Sequence, residues 1–253
     1  MSGGDAMSGL RNDGAGTAGQ ARVIGEVSAV EIGLGPGLPA FATARRAEIE
    51  AHWQARLAAN PALFNGAVLG FERVSVAGGR LSAVARRMDF ATLLALLDWR
   101  PAGVDLFNLF GAAAILSSDG RLVLGRMNGW TANPGHVKFV GGTPDDSDVT
   151  ADGRVDLVGS IARECAEETG LDAADAVGAP SFLVVADGPL VGLVGVLRFP
   201  WNAADLVGRI ERFIAADPNA EIEAVVALSR VSDAAGLDIP CYNRVALDAL
   251  LPR

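Results

Sequence analysis

The sequence predicts an α/β protein in which a mixed sheet packs between helices, preceded by a small N-terminal α+β lobe. Three observations carry this. Apolar strands and amphipathic helices follow one another without the regular alternation that a doubly wound parallel sheet requires. Tight-turn dipeptides, Gly78-Gly79 and Asp119-Gly120, join neighbouring strand candidates into hairpins. Pro101 and Gly103 punctuate the chain between two segments of different rhythm. The expected division is a disordered tail over residues 1–21, the lobe over 22–103 and a larger domain over 104–253. At about 150 residues, the last is a usual single-domain size.

Each element has a local reason. Residues 22–34 alternate and lead into a Gly/Pro turn, and a helix over 42–59 stops where Asn60 precedes Pro61, since the residue before proline is pushed out of the helical region. Strands over 67–76 and 80–86 flank the Gly78-Gly79 turn. Asp89 reads as the N-cap of a helix through Leu97. In the larger domain, strands are expected over 109–116, 121–126 and 137–140. A polar loop over 143–154 carries four aspartates, and a helix over 156–169 ends at Gly170. Strands over 181–186 and 190–199, a helix over 203–216, a strand over 223–228 and a helix over 241–250 complete the chain.

Composition removes several function classes. Of the 253 residues 50% are hydrophobic and 20% charged, the opposite of a disordered chain, and such a chain can bury a core. A net charge of −9, with no basic patch or helix-turn-helix segment, argues against nucleic acid as a partner. The most apolar window, 182–199, is broken by Asp187, Gly188 and Pro189, so a hairpin rather than a membrane span is expected. Two cysteines, Cys165 and Cys241, cannot build a disulfide framework or a multi-cysteine zinc site. With no basic, apolar leader at the start, a reducing, cytoplasmic location is the expectation.

The chemistry concentrates in residues 163–171, Arg-Glu-Cys-Ala-Glu-Glu-Thr-Gly-Leu. On a helix Glu164, Glu167 and Glu168 share one face, where like charges repel and the negative pole of the helix adds to the cost. A hard divalent cation would relieve that repulsion and also bridge phosphate oxygens. The bland alternative is a solvated acidic face. The Gly141-Gly142 pair before the helix and the Gly170-Leu171 stop after it favour the cation.

These residues resemble the signature of the Nudix hydrolases: a glycine, five residues, a glutamate, seven residues, then Arg-Glu-aliphatic-any-Glu-Glu-any-Gly-aliphatic. Residues 163–171 fit the second half with Cys165 as the apolar member. Gly142 followed by five residues reaches Asp148, an aspartate in the glutamate's place, yet fourteen residues separate it from Arg163 where the pattern has seven. Either the loop has gained seven residues after Asp148, or Asp156 at the helix start takes over the acidic role. The second is preferred, with Asp156 as N-cap and partner of Arg163.

The resemblance implies a Nudix-type α/β/α sandwich and hydrolysis of a nucleoside diphosphate linked to another group, with Mg²⁺ or Mn²⁺ as cofactor. It implies Glu164, Glu167 and Glu168 as metal ligands with a carbonyl of Gly141 or Gly142, Arg163 as the residue holding the loop on the helix, and Glu164 or Glu168 as the base. Glu221 and Glu223 are candidates for a further carboxylate, beside Asp156, although a solvated strand edge explains them equally well. A second resemblance covers the lobe: Trp53, Asn60-Pro61, Leu63-Phe64-Asn65-Gly66 and Asp89-Phe90 before a helix ending in Asp98-Trp99 are similar to the upstream region of UDP-sugar diphosphatases of the same superfamily. It implies cleavage of UDP-glucose or UDP-galactose to sugar 1-phosphate and UMP. ADP-ribose or another nucleoside diphosphate derivative is the alternative substrate, and a non-catalytic nucleotide sensor the alternative class.

Asn65, Arg87, Arg126 and Trp130 are the substrate-binding candidates, the arginines for pyrophosphate charge and Trp130 for stacking. Trp130 beside Gly129 also reads as a loop anchor, and on an alternating strand only one of Arg86 and Arg87 faces a given side. His52 and His136 lack metal-ligand spacing. Cys165 is expected to pack inward, and no special role is assigned to Lys138, the single lysine.

Overall fold

The computed structural model describes residues 9–12, 21–131 and 133–253. The first region comprises β1 (Arg22–Val27), β2 (Ala29–Leu34), α1 (Ala40–Ala44), α2 (Arg46–Ala59), β3 (Ala67–Ala77), β4 (Arg80–Asp89) and α3 (Phe90–Trp99). Then come β5 (Asn108–Leu116), β6 (Leu122–Met127), β7 (Val137–Lys138), α4 (Leu157–Thr169), β8 (Ser181–Asp187), β9 (Leu190–Arg198), α5 (Ala203–Ala216), β10 (Ile222–Leu228) and α6 (Cys241–Leu250).

The large sheet runs β1-β8-β9-β5-β6-β10, with β7 added to β6. Its β5–β9 pair is parallel and its other pairs antiparallel, so the sheet is mixed as expected. Pleating sends alternate residues to opposite faces. Ala113 and Ile115 of β5 pack with Ile161 and Cys165 of α4 and Leu206 and Ile210 of α5. Their neighbours Ala112 and Ala114 pack on the other side with Ala246 and Leu247 of α6. Helices therefore cover both faces.

The lobe has a three-stranded sheet, β2-β4-β3, with β2 and β4 parallel. Its helices have a core of their own, in which Ile49 and Trp53 of α2 meet Leu93 and Leu96 of α3. Asp89 caps α3 by accepting from Thr92 N at 3.0 Å. Leu69, Phe71 and Leu81 of the lobe sheet belong to the same core as α4, and Phe71 and Phe107 exchange backbone hydrogen bonds of 2.9 and 2.8 Å. The lobe thus shares apolar packing with the larger domain.

Two expectations need correction. Residues 22–34 are one alternating run in sequence but two strands in different sheets, because Ser28 N and Ala29 N both donate to Gly79 O, at 2.8 and 3.3 Å, and bend the chain around the β3–β4 turn. The first strand of the expected lobe therefore belongs to the large sheet. The tail expected over 1–21 falls outside the described residues except for 9–12 and Ala21. Three of them are held on the lobe: Gly9 bridges Ser75, Leu10 N donates to Val74 O at 2.7 Å, and Asn12 O accepts from Gly103 N at 2.9 Å.

The polar loop before α4 contains a closed excursion. Val149 bridges Val155, and Asp156 N donates to Asp148 O at 2.9 Å, so the residues between leave and return at one point. The excursion rests on the lobe sheet, where Leu34 N donates to Gly153 O at 2.9 Å and Val155 N to Ile32 O at 3.0 Å. Among the described residues no helix is long and apolar enough to cross a membrane.

Candidate active site

Helix α4 is oriented by its apolar stripe. Leu157, Ile161 and Cys165, four residues apart, are buried, whereas Glu167 on the opposite side is exposed. Asp156 accepts from Gly159 N at 2.8 Å and caps the start, and Gly170 in the left-handed conformation closes the end. Burial raises the Cys165 thiol to about 11, so it packs rather than reacts.

This rotation turns Glu164 and Glu168 toward the loop at Gly141 and Gly142. That loop lies along β5, with Ala113 N donating to Val140 O at 2.8 Å and Gly111 N to Gly142 O at 3.3 Å. The approach demands glycine at 141 and leaves room at 142 only if Glu164 moves. A Cβ on Gly141, whose φ is 151°, would stand 2.2 Å from Gly111 O, and one on Gly142 would stand 2.8 Å from the Glu164 carboxylate.

Glu168 is 7% exposed, and its Oε2 accepts from Gly141 N at 3.2 Å. Burial pushes its pKa up to about 7; Lys138 opposes the shift, and the charges of Glu221 and Glu164 reinforce it. Glu164 is also raised, chiefly by burial, with Arg163 opposing and Glu167 and Glu221 adding repulsion. Lys138 donates to Gly141 O at 3.2 Å. Two desolvated carboxylates one helical turn apart, with Glu221 near both, make a site that favours a cation.

Arg163 ties the two halves of the motif together. Its Nη2 donates to Asp148 Oδ1 at 3.0 Å, and its Nη1 stands 2.9 Å from both Glu164 Oε1 and Glu167 Oε2. Burial disfavours the guanidinium charge, but Asp148, joined by the charges of Glu164 and Glu167, outweighs it and raises the pKa. The expected pairing with Asp156 is therefore corrected: Asp156 is the N-cap only, and the buried Asp148 is the partner. The closed excursion of residues 149–155 accounts for the irregular spacing, because it leaves Asp148 beside the start of α4 as if those seven residues were absent.

Other expected residues are dispersed. Glu167, expected as a third ligand, has a side chain 59% exposed and is engaged by Arg163. Glu221 is exposed at the start of β10 but lies close enough to influence both buried glutamates, whereas Glu223, also exposed, points to no partner among the described residues. Asn65 serves α3, accepting from Ala91 N at 2.7 Å. Arg87 pairs with Asp146 at 2.7 Å, linking β4 to the polar loop. Arg126 is half-buried on β6, and Trp130 is 50% exposed.

A cavity of about 640 Å³ opens between α3 and the large sheet, and Gly141 and Gly142 form part of its wall. Leu93 and Leu97 face it from the lobe, and Phe110, Asp187 and Tyr242 from the other side. None of Asn65, Arg87, Arg126 or Trp130 lines it. Sequence reasoning passed over Lys138, a wall residue, for want of any motif around it. It also missed Asp187, which reads in sequence only as a turn residue.

The oxygen donor set of Glu164, Glu168, Glu221 and the Gly141 carbonyl has the chemistry of a hard-cation site. Among the described residues, no three His, Cys, Asp or Glu side chains are gathered closely enough to enclose an ion as they stand.

No family model matches the chain, and no curated protein does. Among solved structures, the chain is similar to the ORF135 protein of E. coli, at 17% identity and a TM-score of 0.34, over 57% of this chain and 89% of that one. It is also similar to a Nudix hydrolase from M. smegmatis, RenU, at 14% identity and a TM-score of 0.35, over 56% of this chain and 81% of that one.

Proposed function

We propose that the chain is a metal-dependent pyrophosphohydrolase that cleaves a nucleoside diphosphate linked to a second group, with UDP-sugars as its substrate class. The observation that carries this is the desolvated Glu164–Glu168 pair behind the Gly141-Gly142 loop, where that loop forms the wall of a ligand-sized cavity. The match of residues 163–171 to the Nudix signature supports it, as does the Asp148–Arg163 pair that restores the motif's spacing.

Glu164 and Glu168 would hold Mg²⁺ or Mn²⁺, joined by Glu221 and the Gly141 carbonyl. When bound, the ion supplies Lewis-acid polarisation of the diphosphate and a water of lowered pKa. Either Glu164 or Glu168 would act as the base that takes a proton from the attacking water. Lys138 is placed to meet phosphoryl charge at the cavity wall once released from Gly141 O. Attack of water on one phosphorus breaks the bridging P–O bond and gives two monophosphates, UMP and a sugar 1-phosphate.

The test is Mg²⁺-dependent product release from UDP-glucose, UDP-galactose and ADP-ribose by the wild type and Glu168→Gln. The wild type should turn over a UDP-sugar, and the variant should lose on the order of 10²-fold or more in kcat. Turnover of ADP-ribose alone would overturn the substrate class. Equal turnover by the variant would overturn the site.

A further inference from the structure

The cavity beside the glycine loop is lined by charges of both signs. Arg56, His136 and Lys138 line it together with Asp98 and Asp187, and Asn108 and the Tyr242 ring belong to the same wall. Asp187 is 9% exposed, and its Oδ1 accepts from Arg100 Nη2 at 2.7 Å, a contact repeated by the Asp187 carbonyl at 2.6 Å. Arg100 is the left-handed C-cap of α3, so the lobe helix itself fixes the carboxylate. No hydrogen bond among the described residues reaches Asp187 Oδ2. Its charge is felt by Tyr242, whose ring meets Phe110 at 5.1 Å in the same wall. Asn108, 5% exposed, accepts from Thr143 Oγ1 at 3.3 Å and keeps its amide Nδ2 without a partner among the described residues.

A buried carboxylate accepts hydrogen bonds and offers none. Beside an aromatic and leucine wall, its Oδ2 suits a neutral group that carries hydroxyl donors, and although the Arg100 ion pair offsets part of its charge, that oxygen disfavours an anionic group brought against it. We infer that Asp187, held by Arg100, is a specificity-determining residue: it receives hydroxyl groups of the moiety attached to the diphosphate and excludes moieties that bear their own negative charge. This rests on the pyrophosphohydrolase reading and narrows it to neutral, hydroxylated groups such as hexosyl units.

The experiment compares UDP-glucose with UDP-glucuronate, which differ by one carboxylate, on the wild type and Asp187→Asn, with thermal melting as a check on folding. Asparagine keeps an acceptor for Arg100 and removes the charge. The wild type should favour UDP-glucose in kcat/KM by about tenfold to a hundredfold, the range of one hydrogen bond to a charged group. In Asp187→Asn that ratio should narrow at least several-fold, chiefly through KM. Equal use of the two substrates by the wild type overturns the proposal whatever the variant does. An unchanged ratio in a folded variant overturns it too. Hydrolysis of neither substrate would instead indict the pyrophosphohydrolase reading.

Discussion

Arg163 and Asp148 stand fifteen residues apart in sequence and 3.0 Å apart in space, and the contact holds the aspartate-rich loop against the helix that carries the glutamate pair. The Asp148 side chain is only 4% exposed, whereas that of Arg163 is 36% exposed. Breaking such a pair leaves one charge without its partner.

Replacing Asp148 with Ala should therefore cost about 2 kcal/mol of stability, less than a fully buried pair because solvent screens the arginine. Freed of Asp148, Arg163 would be held by Glu164, Glu167 and Ser160, all on its own helix, so turnover should also fall. Denaturant melts and kcat measured side by side check this, and loss of stability at unchanged kcat would confine Asp148 to a structural role.

The pKa of Glu168 sets a pH dependence with a definite sign. Its folded value of about 7, against an ordinary 4.5, means that between these values the folded protein keeps a proton that the unfolded chain has released. The site's contribution to stability is full at low pH and is lost as pH rises from about 4.5 to about 7, at a cost on the order of 3 kcal/mol. A divalent cation that binds the ionised carboxylate should then raise the melting temperature more at pH 8 than at pH 6. Its binding at pH 6 should release a proton, read by calorimetry in two buffers of different ionisation enthalpy. Identical melting shifts at both pH values would count against Glu168 as a ligand.

Gly142→Ala tests the carboxylate geometry without touching a charge. The added Cβ would meet the Glu164 carboxylate at 2.8 Å, and this side chain must turn away. Metal affinity and kcat should both fall by about tenfold or more, as expected for a displaced ligand-supporting contact. The melting temperature should change little, because the clash is with the far end of a side chain.

Excising residues 149–155 should leave the Asp148–Arg163 contact in place, since Asp148 O and Asp156 N already lie 2.9 Å apart. It would remove the hydrogen bonds from Leu34 N to Gly153 O and from Val155 N to Ile32 O. The expected result is a folded protein about 1–3 kcal/mol less stable, at about 1 kcal/mol per lost hydrogen bond. KM should rise more than kcat falls, because the lobe forms one wall of the cavity. Substrate titrations on the excised chain check it.

Local signals made most of the fold legible. The helix over 203–216 and the closing helix over 241–250 were readable to the residue, and Asp89 and Asp156 announced helix starts through their side chains. What could not be read was pairing at a distance. Residues 22–34 have one alternating pattern, and only the Gly79 carbonyl, far along the chain, divides it between two sheets. The same limit hid Asp148 as the partner of Arg163: linear spacing counts residues, and an excursion closed at its base adds residues without adding distance. Glu221 and Asp187 reach their places through strand order, to which their immediate neighbours in sequence give no clue.

The β1–β8 pairing places Arg22 opposite Ala186. Strand β1 must wait for a partner far along the chain, and such non-local pairing slows folding. A shortened chain beginning at Asn108 would synthesise every element that carries the glutamates, yet it would expose the edge of β8, whose run Phe-Leu-Val-Val-Ala is apolar and uncharged. Open edges of that kind template self-association. The early strand thus serves as a guard on the later sheet, which makes the N-terminal region a condition for solubility as well as a wall of the cavity.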